Sequence, residues 1–153
     1  MDHHLRIATA ADAESAARLL VDFNREFDSP APEAAQIAPR LAALLESQHT
    51  FAVLGGEPPA GIALVTLRPN VWFDGPVALL DELYVRPDLR SHGMGTALVD
   101  AVVTHARSHG VALLEVNVDE SDTDALRFYD RHGFALRQPD TGERAFYLSR
   151  AIS

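Results

Sequence analysis

The 153-residue chain sets 22 acidic against 13 basic side chains for a formal net charge of −9, and is 47% hydrophobic and 23% charged, the make-up of one globular domain with a real core. The acidic balance argues against nucleic acid as a partner, whose binding depends on clustered cations, and is compatible with a cationic small substrate. There is no cysteine, which removes disulfides, thiolate metal sites and an acyl-cysteine intermediate, and neither a span-length apolar run nor a signal-peptide layout is seen, so a cytoplasmic protein without a membrane partner is expected.

Residues 4–7 read as a short first strand, and Thr9-x-x-Asp12 as a capping box opening a helix whose apolar face is Ala16, Leu20, Phe23 and Phe27. Ser29-Pro30-Ala31-Pro32 breaks the chain before a second helical stretch, 33–47, with Ile37, Leu41, Leu44 and Leu45 on one side. Pro39 falls inside that pattern, and two short helices meeting there are favoured over one helix starting at the proline. Residues 50–54 and 60–67 are strands around the hairpin turn Gly55-Gly56-Glu57-Pro58-Pro59. The connection that follows carries the only tryptophan, Trp72, as a hydrophobic plug or as a ligand contact.

The stretch 79–110 organises the rest. Its strand is apolar on both faces, as a covered central strand should be, which makes the neighbouring acids Asp81 and Glu82 conspicuous. Strand neighbours point to opposite faces, so only one of the two can address a given centre unless the strand bulges. Pro87 ends the pairing. Arg90-Ser91-His92-Gly93-Met94-Gly95 then leads into a helix with Met94, Ala97, Leu98, Ala101, Val102 and His105 on one face, closed by Gly110. A glycine-containing turn at a helix N-terminus presents unpaired N–H groups and the positive end of the helix dipole, the outline of a diphosphate cradle. It is not a nucleotide P-loop, because the chain has no lysine at all, and not a G-x-G-x-x-G turn, because position 98 is Leu.

Beyond that helix, 112–118 is a strand able to lie parallel to the central one through the helical crossover. Ser121-x-x-Asp124 reads as a second capping box for a short helix through Arg131, stopped by Gly133, with Ala125, Phe128 and Tyr129 inward. Residues 134–137 and 145–149 look like a final hairpin around Asp140-Thr141-Gly142-Glu143. His105 and His109 have the i, i+4 spacing of a ligand pair, but no third ligand accompanies them and no metal is expected.

The loop resembles the acyl-CoA signature of the GNAT superfamily of N-acetyltransferases, [QR]-x-x-G-x-[GA] after an apolar strand, through Arg90, Gly93 and Gly95. The likeness extends to Leu83-Tyr84-Val85, to Pro87, and to Ala125-Leu126-Arg127-Phe128-Tyr129 with Gly133-Phe134, and so covers about residues 77–135. It implies a single α/β (α+β) domain over residues 1–153: a mixed, mostly antiparallel twisted sheet with two splayed parallel central strands and helices on both faces. It implies acetyl-CoA as cofactor, held by Leu83, Tyr84, Val85, Arg90, Ser91, His92, Gly93, Met94, Gly95 and Thr96, with Asn117, Asp122, Ala125 and Phe128 further along. The resemblance also makes Tyr129, in the Phe-Tyr pair before Gly133-Phe134, the candidate general acid. Phe27 and Asp28 fall where the acceptor pocket is bordered, and Trp72 ahead of Asp81 resembles diamine-type members, which favours Asp81 over Glu82 as the nearer acid to the amine. Ser91 and His92 stand where the family often has Gly and Lys or Arg, and Asp122 where it often has Asn.

A carboxylate in a cleft can take an ammonium proton, backbone N–H groups near 83–85 can polarise a carbonyl, and a phenol is still protonated at neutral pH. The expected function is therefore acetyl transfer to a primary amine of a small molecule (polyamine, amino acid derivative or aminoglycoside), directly in a ternary complex. Two alternatives stand beside it: a non-catalytic acyl-CoA-binding or regulatory module, and a protein or peptide N-acetyltransferase. A homodimer is left open.

Overall fold

Arg6–Ile7 (β1), Thr50–Gly55 (β2), Gly61–Arg68 (β3), Val77–Val85 (β4) and Leu113–Val116 (β5) line up in that order in one sheet in the computed structural model, which describes residues 2–152. The chain divides after Glu115 into two units. β1 to β4 pair as antiparallel neighbours, and β5 joins β4 after a helical crossover, so the sheet is mixed and mostly antiparallel.

The helices form where the periodicity puts them. A short 3-10 turn, Ala10–Asp12, leads into α1, Ala13–Glu26. The Thr9 N–H donates to Asp12 Oδ2 at 2.9 Å, and Arg6 grips both oxygens of the same carboxylate at 2.7 and 2.8 Å, which ties β1 to the helix start. α2, Ala34–Glu46, is one helix with Pro39 inside it, not two short ones. Pro39 is the sixth residue of the helix, past its first turn, so the bond to the Ala35 carbonyl is missing; the Gln36 side chain, accepting from the Glu33 N–H at 3.1 Å, secures the turn ahead of it. α3 runs Met94–Ser108 and ends with Gly110 at φ +71.

Register assigns the faces. Residues paired across strands share a side, and Ala52, Leu54, Ile62, Leu64 and Tyr84 form one cluster with Ala16, Leu19 and Phe23 of α1 and Ile37 and Leu41 of α2. Phe27 and Leu44, expected on these apolar stripes, are instead exposed. The opposite face is covered by α3, where Leu98, Val99 and Val102 are fully buried and the Phe51 ring lies 4.4 Å from that of His105.

The second unit holds α4, Thr123–Arg131. Its N-cap is Asp122, whose Oδ1 accepts from the Ala125 N–H at 3.0 Å, and not Ser121 as the capping-box spacing suggested. The expected final hairpin is reduced to an isolated antiparallel bridge between Arg137 and Arg144, backed by the Gln138 N–H donating to Glu143 O at 2.7 Å. Pro139 offers no N–H with which to continue a ladder. Residues 146–148 lie outside any strand and are exposed.

Candidate active site

β4 is the strand on which the acids sit, and its register slips at one of them. Leu64 pairs with Glu82 and Val65 with Leu80, so Asp81 has no partner on β3 and forms a bulge. Strict alternation therefore fails here. Leu79 is paired with Thr66 and Glu82 with Leu64, two positions of one face, and Thr66 Oγ1 donates to Asp81 Oδ2 at 2.5 Å. Asp81 and Glu82 thus both belong to the face that α1 covers, while Leu83, paired with Ala63, returns to the α3 side.

Their environments differ. Asp81 is exposed and hydrogen-bonded, whereas Glu82 is half-buried. Burial, and after it the negative charge of Asp81, raises the Glu82 carboxyl above the ordinary carboxylate range. No arginine of residues 2–115 pairs with Glu82. A half-buried acid with a raised pKa beside a second acid is a pattern that clusters at sites of acid–base work.

The cradle is built from backbone. Gly93, the N-cap of α3, is left-handed at φ +86, and Ser91 before it is also left-handed at φ +66. No side chain caps α3, and helix geometry leaves the first-turn N–H groups of Met94 and Gly95 without an intrahelical acceptor. Met94, the first helical residue, is buried in a notch on the sheet: a Cβ on Gly61 would come within 2.8 Å of its sulfur, and one on Gly55 within 3.2 Å. Two glycines on facing strands thereby set the height of the helix terminus. Residues 90–96 contain one cation and no acid, so an anionic diphosphate fits the donor set.

Arg90 is fixed from several sides. Its Nε donates to Val85 O at 2.8 Å, its two terminal nitrogens donate to the two oxygens of Glu26 at 2.8 and 2.7 Å, and its guanidinium lies 5.6 Å from the centre of the Tyr84 ring. Tyr84 in turn stacks on Phe23 at 5.1 Å, and Phe27 meets Phe23 edge-on at 5.3 Å. Phe27 is 55% exposed, and Asp28 beyond it is left-handed at φ 53. Trp72 is not a plug: it is 85% exposed, on a turn held by Asn70 Oδ1, which accepts from the N–H groups of Trp72 and Phe73 at 2.9 Å each.

Within the second unit, Tyr129 sits between rings, 5.2 Å from Phe128 and 5.3 Å from Phe134, and its carbonyl accepts from the Phe134 N–H at 3.0 Å. Asn117 lies just past β5 and is exposed. Asp122 commits one carboxylate oxygen to the helix cap, alongside Ala125. The first unit brings together Asp81, Glu82, Leu83, Tyr84 and Val85 on β4 and joins Arg90 to that strand's end.

Three residues escape a sequence reading. Thr66 is the one polar side chain in the run Ile62 to Leu67, a signal that a strand position has a task. Glu26 is 64 positions from Arg90, too far for any local pattern. His3 gives no signal, yet its Nε2 would lie 3.5 Å from a Cβ on Gly93.

Residues 14–134 match the model of the Acetyltransferase (GNAT) family. The crystal structure of an Arthrobacter sp. FB24 protein assigned to the acetyltransferases superposes with a TM-score of 0.91 at 49% identity, covering 97% of this chain and 95% of that one. Among curated relatives, an uncharacterized N-acetyltransferase of Methanocaldococcus jannaschii is 38% identical over 62 residues, 40% of this chain and 27% of that protein. The thialysine N-epsilon-acetyltransferase of Caenorhabditis elegans is 29% identical over 107 residues, 69% of this chain and 66% of its own length. This chain therefore spans less than two thirds of the curated relatives it matches first. An aminoglycoside acetyltransferase from a soil metagenome shares the fold, with a TM-score of 0.79 at 18% identity. With the cradle, its preceding strand and the family match all on the same residues, the chain belongs to the GNAT family of acetyltransferases, whose fold implies acetyl-CoA as the cofactor.

Proposed function

We propose that this chain transfers an acetyl group from acetyl-CoA to the primary amine of a small cationic molecule, directly and without a covalent enzyme intermediate. The observation that carries the reading is the bulge at Asp81, which gives Asp81 and Glu82 one common face and leaves Glu82 half-buried with a raised pKa. Bound acetyl-CoA supplies the activated thioester. Glu82 takes the ammonium proton, because a carboxyl raised toward neutrality is better matched to that transfer than an ordinary one. Asp81, oriented by Thr66 and open to solvent, attracts and aligns the cation. Resemblance to diamine-type members favours the first acid as the nearer to the amine, and this division of labour keeps it there. Backbone N–H groups at Leu83 to Val85 are the donors for a polarised carbonyl. The family likeness assigns Tyr129 as the proton source for the departing CoA thiolate, a part open to a phenol because its reference pKa lies near 10.

Acceptor chemistry is supported by the net charge of −9 and the acid pair, both suited to a cation. The C. elegans relative's name places its reaction on an amine. Polyamines, amino acid derivatives and aminoglycosides are the classes to test. CoA release from acetyl-CoA is measured against a panel of these and of short peptides, with Tyr129→Phe beside the wild type. Turnover on one amine class, falling about a hundredfold in the variant with acetyl-CoA affinity within twofold, is expected. Acetyl-CoA binding without release on any acceptor would point to the binding-module reading, and turnover confined to peptides to the protein acetyltransferase.

A further inference from the structure

The Arg90 side chain is committed before any cofactor arrives. Three of its five N–H donors are in use: one on the end of β4 and two, in parallel, on the last residue of α1. Tyr84 and Phe23 stack beneath the guanidinium, so a packed column connects α1, β4 and the start of the cradle loop. Directly after Arg90 comes Ser91, a residue with a Cβ in the left-handed region, and two positions further Gly93 in the same region. A left-handed serine relaxes unless its neighbours hold it. The neighbour fixed on one side is Arg90, and the burial of Met94 fixes the other.

We infer that Glu26 is a positioning residue for the cofactor site: through its two-point grip on Arg90 it holds loop 91–95 in the conformation that presents the cradle N–H groups. This rests on the acetyl-CoA reading of that loop. Glu26 touches neither cofactor nor acceptor in this role; it removes conformational freedom that binding would otherwise have to remove. It also ties the cradle to the end of α1, next to Phe27 and Asp28, so a change at that helix end is felt by the loop.

Exposed ion pairs contribute little to global stability as a rule, and both partners here are partly exposed. A merely structural role therefore predicts small effects everywhere, and a positioning role predicts one selective effect. Acetyl-CoA affinity by calorimetry, amide hydrogen exchange of residues 87–96 without ligand, KM and kcat, and Tm are measured for wild type, Glu26→Ala, the volume-preserving Glu26→Gln, and Glu14→Ala as a control on the exposed Glu14–Arg18 pair of the same helix. Expected for Glu26→Ala is an affinity weaker by about tenfold, set by the loss of charge-assisted bonds. Loop amides should exchange faster, kcat at saturation should stay within about twofold, and Glu26→Gln should fall between the two. The control should match wild type.

Normal binding by wild type with unchanged affinity and loop exchange in Glu26→Ala overturns this inference alone. So does a parallel fall of affinity, kcat and Tm in both Glu26 variants. A wild type that binds no acetyl-CoA overturns the acetyltransferase reading and this inference with it.

Discussion

The cradle and the acid pair sit on neighbouring parts of one strand–loop–helix unit, but they are made by different means. The cradle is a backbone object: left-handed residues, an uncapped helix end, and a methionine seated in a notch of two glycines. The acid pair is a register object, because a one-residue slip at Asp81 turns two neighbours that alternation would separate onto a common face. A backbone site tolerates side-chain changes and fails when a glycine is lost. A register site of the proposed kind should fail when a single carboxylate is lost and leave cofactor affinity unchanged.

The largest expected effect tests the second half of that contrast. Glu82→Gln removes the proposed base while keeping size and burial, and turnover should fall about 10²- to 10³-fold, within the range of general-base losses. Acetyl-CoA affinity should stay within twofold, since the cradle does not use this side chain. Steady-state kinetics and direct binding on the same preparation separate the two quantities. A loss of affinity equal to the loss of turnover would mean that the acids and the cradle are one mechanical unit.

The converse variant is Gly93→Val. At φ +86 a β-branched residue is strained, and its Cβ would point toward His3, so the cradle should open and acetyl-CoA affinity should fall about tenfold or more. His92→Ala, in the same loop but with an exposed side chain, should change affinity less than about threefold. Comparable losses in the two variants would show that the loop binds through side chains after all. Calorimetry with acetyl-CoA decides between them.

This contrast also explains what could be read from the chain. The cradle was legible because local spacing makes it: Arg90, Gly93 and Gly95 fall within six positions, and the following periodicity announces α3. β2, β3 and β4 were legible from their apolar runs and the turn residues between them. The bulge was not, because register depends on which residues of another strand face each other, and composition does not encode a one-residue slip. Glu26 was invisible for the same reason, and Thr66 showed only as a polar residue in an apolar run with nothing to name its partner, since each acts on a residue distant in sequence. Pro39 misled in the opposite sense: a local rule broke the helix, and packing of Leu41 and Ile37 against the core kept it whole. The final hairpin failed because alternation at 145–149 records a preference for strand and not the presence of a partner.

The smallest effect is also the sharpest, because it concerns the coupling inside the acid pair. Glu82 is raised by burial first and by the Asp81 charge second. A carboxyl whose folded pKa lies above its unfolded value adds stability that is fully present below the unfolded pKa, about 4.3, and is lost as pH rises through the folded pKa. Ionised Glu82 therefore destabilises the folded chain at neutral pH, and Glu82→Gln should raise Tm there by a few degrees at most, with the difference vanishing in melts below about pH 4. Asp81→Asn removes only the second cause. It should move the acid limb of the kcat/KM profile to lower pH without carrying it to that of a free carboxylate, because burial remains. An acid limb that does not move would mean that Asp81 and Glu82 do not share a field, and would remove the bulge from the explanation of the site.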